Sequence, residues 1–204
     1  MRPGHPALWH HPSARLGTLE ASAIARISER TGADTDSQAA MLARRSWLHI
    51  ASELRHAPQR VAAVCTHEPM LGFSSWITLS PTSPGAGKEE ALCLWLNSTP
   101  GMLLRILHAN RPYLGRSRLP DEVARGLPVL NVDELCPRQC RAARTVFKSI
   151  KRKQLRGFAH LAEDPVRRDL DHRLFSEVLG HRVDGELDRL ANDLNREPTL
   201  TARH

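Results

Sequence analysis

The stretch KEEALCLWLNSTPGMLLRILHAN (residues 88–110) decides how this chain folds. Leu92, Leu96, Leu103 and Leu107 recur through it at helical spacing, among further apolar residues. Pro100-Gly101 sits near its middle. Proline donates no backbone hydrogen bond and its ring clashes with the preceding turn, so the run reads as a kinked helix or two shorter ones. Asn97, Ser98 and Thr99 place short polar side chains just ahead of the proline, where they suit a helix cap.

On the N-terminal side the pattern shortens. SWLHIASE (46–53), RVAAVCT (60–66) and SSWITLS (74–80) are brief, partly β-branched or aromatic runs and read as strands. PTSPGAG (81–87) is a loop. Residues 1–20 are rich in Pro, Gly and His and read as a loose leader, 21–31 as a short helix, and 31–38 as a turn. Trp47, Trp76 and Trp95 are expected to anchor the core.

On the C-terminal side RPYLGRSRLP (111–120) reads as a basic loop, PDEVARG (120–126) as a short helix and LPVLNV (127–132) as an extended piece. Three helices follow. In 137–152, Ala143, Val146, Phe147 and Ile150 make an apolar stripe, with Arg141, Arg144, Lys148, Lys151 and Arg152 mostly off it. In 165–179, Val166, Leu170, Leu174 and Val178 repeat every fourth residue, between an Asp164 cap and a Gly180 stop. In 184–195, Leu187, Leu190, Ala191 and Leu194 share a face. The expected class is α/β (α+β): a small mixed sheet of short strands, then a mainly helical C-terminal half. The expected units are the leader (1–36), an α/β domain (37–132), a helical bundle (133–196) and a frayed tail (197–204).

Composition bounds the function. The 204 residues carry 29 Lys+Arg against 22 Asp+Glu, a net charge of +7, and only Lys88, Lys148, Lys151 and Lys153 are lysines. Guanidinium forks match phosphates and guanine edges, so the excess fits a nucleic-acid partner, although a GC-rich genome enriches arginine as well. No apolar run approaches the roughly 20 residues of a membrane span, so no membrane partner is expected. Cys65, Cys93, Cys136 and Cys140 are too scattered for a disulfide framework and read as reduced thiols, which fits a cytoplasmic setting. Cys136 and Cys140 lack neighbouring ligands at zinc spacing. The sequence has no phosphate loop ending in GK[ST], no G-x-G-x-x-G after a strand, no G-x-S-x-G and no H-E-x-x-H. No catalytic residue, metal or cofactor is therefore expected.

Residues 91–131, ALCLWLNSTPGMLLRILHANRPYLGRSRLPDEVARGLPVLN, carry a resemblance. A W-L-N-S-T box (Trp95 to Thr99) is followed by Gly101 opening an apolar helix, a basic loop with Gly115, a short helix and L-P-V at Leu127 to Val129. This order resembles the end of the target-recognition region in N6-adenine DNA methyltransferases of restriction-modification and phage-defence systems. Type I restriction specificity subunits are similar. The resemblance implies a DNA-binding specificity module, non-catalytic alone, because the family's cofactor loop and aminomethylation motif are missing. Double-stranded DNA and a separate methyltransferase subunit would be its partners. Read by their own chemistry, the helix break and the basic loop offer Asn97, Ser98, Asn110, Arg111, Tyr113, Arg116 and Arg118 as DNA contacts, since Arg can read guanine and Asn adenine with two bonds each. The competing reading is a helical protein–protein interaction module with no nucleic-acid role.

Overall fold

The computed structural model of the chain describes residues 5–8, 23–25, 35–55, 58–73, 75–80, 82–83, 85–113, 116–183 and 185–198. In chain order the elements are β1 (His5–Leu8), β2 (Ala23–Ala25), α1 (Thr35–Ala43), β3 (Ser46–Ala51), β4 (Glu53–Arg55), β5 (Ala63–Gly72) and β6 (Trp76–Leu79). Then come α2 (Lys88–Asn97), α3 (Thr99–His108), β7 (Asn110–Tyr113), β8 (Arg116–Arg118), α4 (Asp121–Arg125), α5 (Pro137–Ile150), α6 (Pro165–Arg173) and α7 (Glu186–Arg196). The fold is mixed α/β, with the sheets first and most helices after them. No helix among the described residues is long and apolar enough to cross a membrane.

The larger sheet has the order β2-β1-β5-β3-β6. β1 runs parallel to β5, and the other neighbours are antiparallel. A second, antiparallel sheet has the order β4-β8-β7. Four expectations are corrected here. Part of the leader is strand β1, and Ala23–Ala25 lies in strand β2 where a helix is expected. The ladder between them pairs His5 with Ala25 and Ala7 with Ala23, a long-range pairing that overrides weak local helix propensity. The rest of residues 1–34 lies outside the described residues. Thr35, expected in a turn, begins α1. The basic loop at 111–120 is the β7–β8 pair: Ser117 and Leu119 are buried while Arg118 is exposed, the period-two alternation of a half-buried strand.

The break at Pro100 is resolved as two helices. Ser98 takes an extended conformation (φ −70°, ψ 159°) between α2 and α3. Its hydroxyl donates to the Trp95 carbonyl at 2.7 Å and accepts from the Gly101 amide at 3.2 Å. Pro100 falls in the first turn of α3, where a missing N–H costs nothing. Gly101 is required by crowding, since a methyl there would overlap the Trp95 carbonyl. Gly101→Ala is expected to cost about 2 kcal/mol, a fall in Tm of roughly 4–8 °C by calorimetry.

One core joins the sheet to the C-terminal helices across residue 132. Leu48, Ile50 and Val64 from the strands meet Leu94 and Leu96 of α2, Val146 and Ile150 of α5, and Leu170 of α6. α6 runs on into a π-helical turn over Leu174–Val178 and stops at Gly180, whose φ of +72° suits glycine. α6 also locks the α2–α3 corner. Asp171 accepts from the Thr99 amide at 2.9 Å and from its hydroxyl at 2.5 Å, so it caps α3 from another helix. Arg167, buried beside it, donates to the Asn97 carbonyl and, at 2.7 Å, to the Arg60 carbonyl.

Candidate nucleic-acid interface

Asn97 and Ser98 have no surface to offer a ligand, which corrects their place among the DNA contacts. Both are fully buried. The Asn97 carboxamide oxygen accepts from the Ala62 amide at 2.8 Å, and its NH2 donates to the Ala63 and Cys93 carbonyls, each at 2.8 Å. These bonds tie the last residue of α2 to the entry of β5. Ser98 is spent on the cap of α3.

The remaining sequence-derived residues fall on the second sheet. In its register Glu53 faces Arg118, Arg55 faces Arg116, and Asn110 faces Arg118. Directly paired residues of antiparallel strands project to the same side, as do residues two apart on one strand. Arg55, Arg116, Arg118, Asn110 and Glu53 therefore share one face. The opposite face buries Leu54 and Ser117 completely. Arg116 lies 3.6 Å from Glu53, while Arg55 and Arg118 form no ion pair among the described residues. Arg111 and Tyr113 belong to β7, but their side chains lie outside what is described. Arg55 is the residue sequence reasoning misses, because only strand pairing brings it to the hairpin.

A second cationic surface lies on α5. Between Glu134 and Glu163 the chain has eight Lys or Arg and no Asp or Glu. Cys140, Ala143, Val146, Phe147 and Ile150 turn inward and are buried. Arg138, Arg141 and Lys148 are exposed, and with Arg152 just past the helix end they recur at i, i+3, i+10 and i+14. At 3.6 residues per turn these four positions occupy about a quarter of the helix circumference over about 21 Å. Three other bases are partnered: Arg144 by Glu90 at 3.6 Å, Lys153 by Asp169 at 3.1 Å and Arg156 by Glu163 at 3.6 Å. Arg138, Arg141, Lys148, Lys151 and Arg152 have no ion pair among the described residues.

Other polar clusters have structural jobs. Lys88 Nζ lies 2.7 Å from both Ser83 Oγ and Asp133 Oδ1, and Ser83 Oγ donates to Asp133 at 2.5 Å. A serine beside a lysine invites comparison with a nucleophile and its base. Here Lys88 is in an ion pair and the serine proton is already given to a carboxylate, so the cluster staples the loop to the turn before α5. Lys88 and Ser83 hold the Asp133 carboxyl below the ordinary range. His49 is fully buried, with Nε2 3.0 Å from the Ser46 carbonyl and Nδ1 3.3 Å from Thr78 Oγ1. Burial pulls its pKa down to about 4. No group of three or more His, Cys, Asp or Glu among the described residues is placed to hold a metal. Trp76 is buried as expected, and Trp95 lies 6.2 Å from the ring of Phe175, but Trp47 is 44% exposed and stands outside the core. No protein-family model, curated protein or solved structure matches this chain.

Proposed function

We propose that this chain is a duplex-DNA-binding module without catalytic residues of its own, and that α5 is its main phosphate contact. The carrying observation is the row of exposed cations along α5, without an ion pair among the described residues, on a segment that contains no acid. Such a row releases condensed counterions from a phosphate backbone and gives affinity without sequence preference. The outer face of the β4-β8-β7 sheet supplies what could add preference: the forks of Arg55, Arg116 and Arg118, and the amide of Asn110. The order of pieces from Trp95 to Val129 supports placing the module in a modification or defence system, with methylation assigned to a separate methyltransferase subunit.

Fluorescence anisotropy on a labelled duplex, at a series of salt concentrations, tests the reading. The chain should bind at about 50 mM salt and weaken steeply as salt rises. The quadruple variant R138Q/R141Q/K148Q/R152Q should lose on the order of a hundredfold in affinity at low salt, and its salt slope should fall by about 3–4. A wild-type chain that fails to bind at low salt sinks the proposal, as does an unchanged slope in the variant.

A further inference from the structure

Where α5 ends, the chain turns through Gln154–Gly157 and lines an open cleft of about 510 Å3 together with Arg60, His160 and Glu163. That volume suits a ligand the size of a nucleotide. Buried groups hold the walls. The Arg156 amide donates to Asp164 Oδ2 at 2.8 Å, the Phe158 amide to the Gln59 carbonyl at 2.9 Å, and Arg167 to the Arg60 carbonyl at 2.7 Å. Leu155, almost fully buried, belongs to the lining. Arg60 is half-buried, and its guanidinium has no hydrogen bond or ion pair among the described residues. Glu163 lies 3.6 Å from Arg156 and 3.4 Å from His160, so it steadies both while cancelling one positive charge. The cleft thus holds two guanidinium groups, an imidazole and a single carboxylate.

We propose that this cleft binds a phosphate group carried by a ligand of up to nucleotide size, with Arg60 as the anchoring fork and Arg156 and His160 as further donors. Guanidinium forks match phosphate oxygens bidentately, and the Arg60 fork gives up no partner among the described residues on binding, while Arg156 and His160, already held by Glu163, lose little freedom. The phosphate has two possible sources, a free phosphomonoester or the backbone of a bound strand.

Calorimetric titration of the full chain with inorganic phosphate, adenosine 5′-monophosphate and adenosine separates them. Phosphate and the monophosphate should bind competitively, and adenosine should not bind. Arg60→Gln should weaken the monophosphate about tenfold, and Glu163→Gln, at an exposed position, should tighten it about threefold by removing a repelling carboxylate. If the monophosphate does not bind but Arg60→Gln weakens duplex binding, the phosphate belongs to a strand. The proposal is overturned if Arg60→Gln leaves both probes unaffected, or if adenosine binds as well as its monophosphate. The α5 quadruple variant should keep its monophosphate affinity, so loss of the duplex reading and loss of this one are told apart.

Discussion

Arg167→Met is expected to lower the free energy of unfolding by about 3–5 kcal/mol in urea titrations at neutral pH. Arg167 is 1% exposed. Its two terminal nitrogens serve the Asn97 and Arg60 carbonyls, and its guanidinium lies 5.3 Å from the centre of the Phe158 ring. Nε is 3.9 Å from Asp164, whose other oxygen caps α6 through the Val166 and Arg167 amides. Methionine fills much the same volume but donates nothing. It would leave two carbonyls short of a donor, and Asp164 and Asp171 buried without their cation. The penalty for stranding buried charges exceeds any gain from better apolar packing when only one partner is replaced. Arg167→Lys keeps the charge but cannot serve both carbonyls, so its loss should be smaller. A change under about 1 kcal/mol for the methionine variant would show that the network is replaceable, contrary to this account.

The second large effect is a pair of opposed pH dependences. His49 titrates near 4 in the folded chain against 6.5 when unfolded, chiefly because burial disfavours the imidazolium. Its contribution to stability is complete above pH 6.5 and is lost as pH falls towards 4, about 3 kcal/mol in all. Asp171 moves the other way. Burial raises its carboxyl from 3.8 to about 6, despite the bonds from Thr99 and the attraction of Arg167. Its contribution is complete below pH 3.8 and is lost as pH rises to about 6, again about 3 kcal/mol. The two windows nearly coincide, so between pH 4 and 6.5 these groups cancel. Asp171→Asn should expose the acid-side loss caused by His49, so that the variant weakens relative to wild type as pH falls. Chemical denaturation of both chains at several pH values measures the difference, with the titration of other carboxylates cancelling. A difference that stays constant from pH 4 to 6.5 refutes the assignment.

Local signals carried far in this sequence. The α2–α3 corner follows from Pro100 and the short polar residues before it, and α6 from Asp164, Pro165 and Gly180. In both, the cap and the apolar period agree. What local signals do not carry is pairing between distant strands. Nothing in Ala23–Ala25 announces a partner in His5–Leu8, and the alternation of Arg116, Ser117, Arg118 and Leu119 is masked by its charge. Buried cations are equally hidden. Arg105 and Arg167 count as surface charge in any composition, yet both lie in the interior, Arg105 donating to the Ala51 carbonyl at 2.6 Å. The candidate interface is split in the same way. Asn110, Arg116 and Arg118 are legible and share a face, whereas Arg55 joins them only through the ladder. The α5 cations read from sequence as the solvent side of a packing helix. Their significance lies in the lack of any acid between Glu134 and Glu163 and in how few of them are paired.

The grip of α6 on the corner before α3 has a consequence for inheritance. A gene broken after residue 132 would yield a front piece with a bare helix start and an open apolar flank, and a rear piece with two stranded acids. Each piece would expose apolar surface or charge that the intact chain covers. Recombination that exchanges one part of the chain must therefore carry sheet and helices together, or confine itself to the outward side chains of β4, β7 and β8.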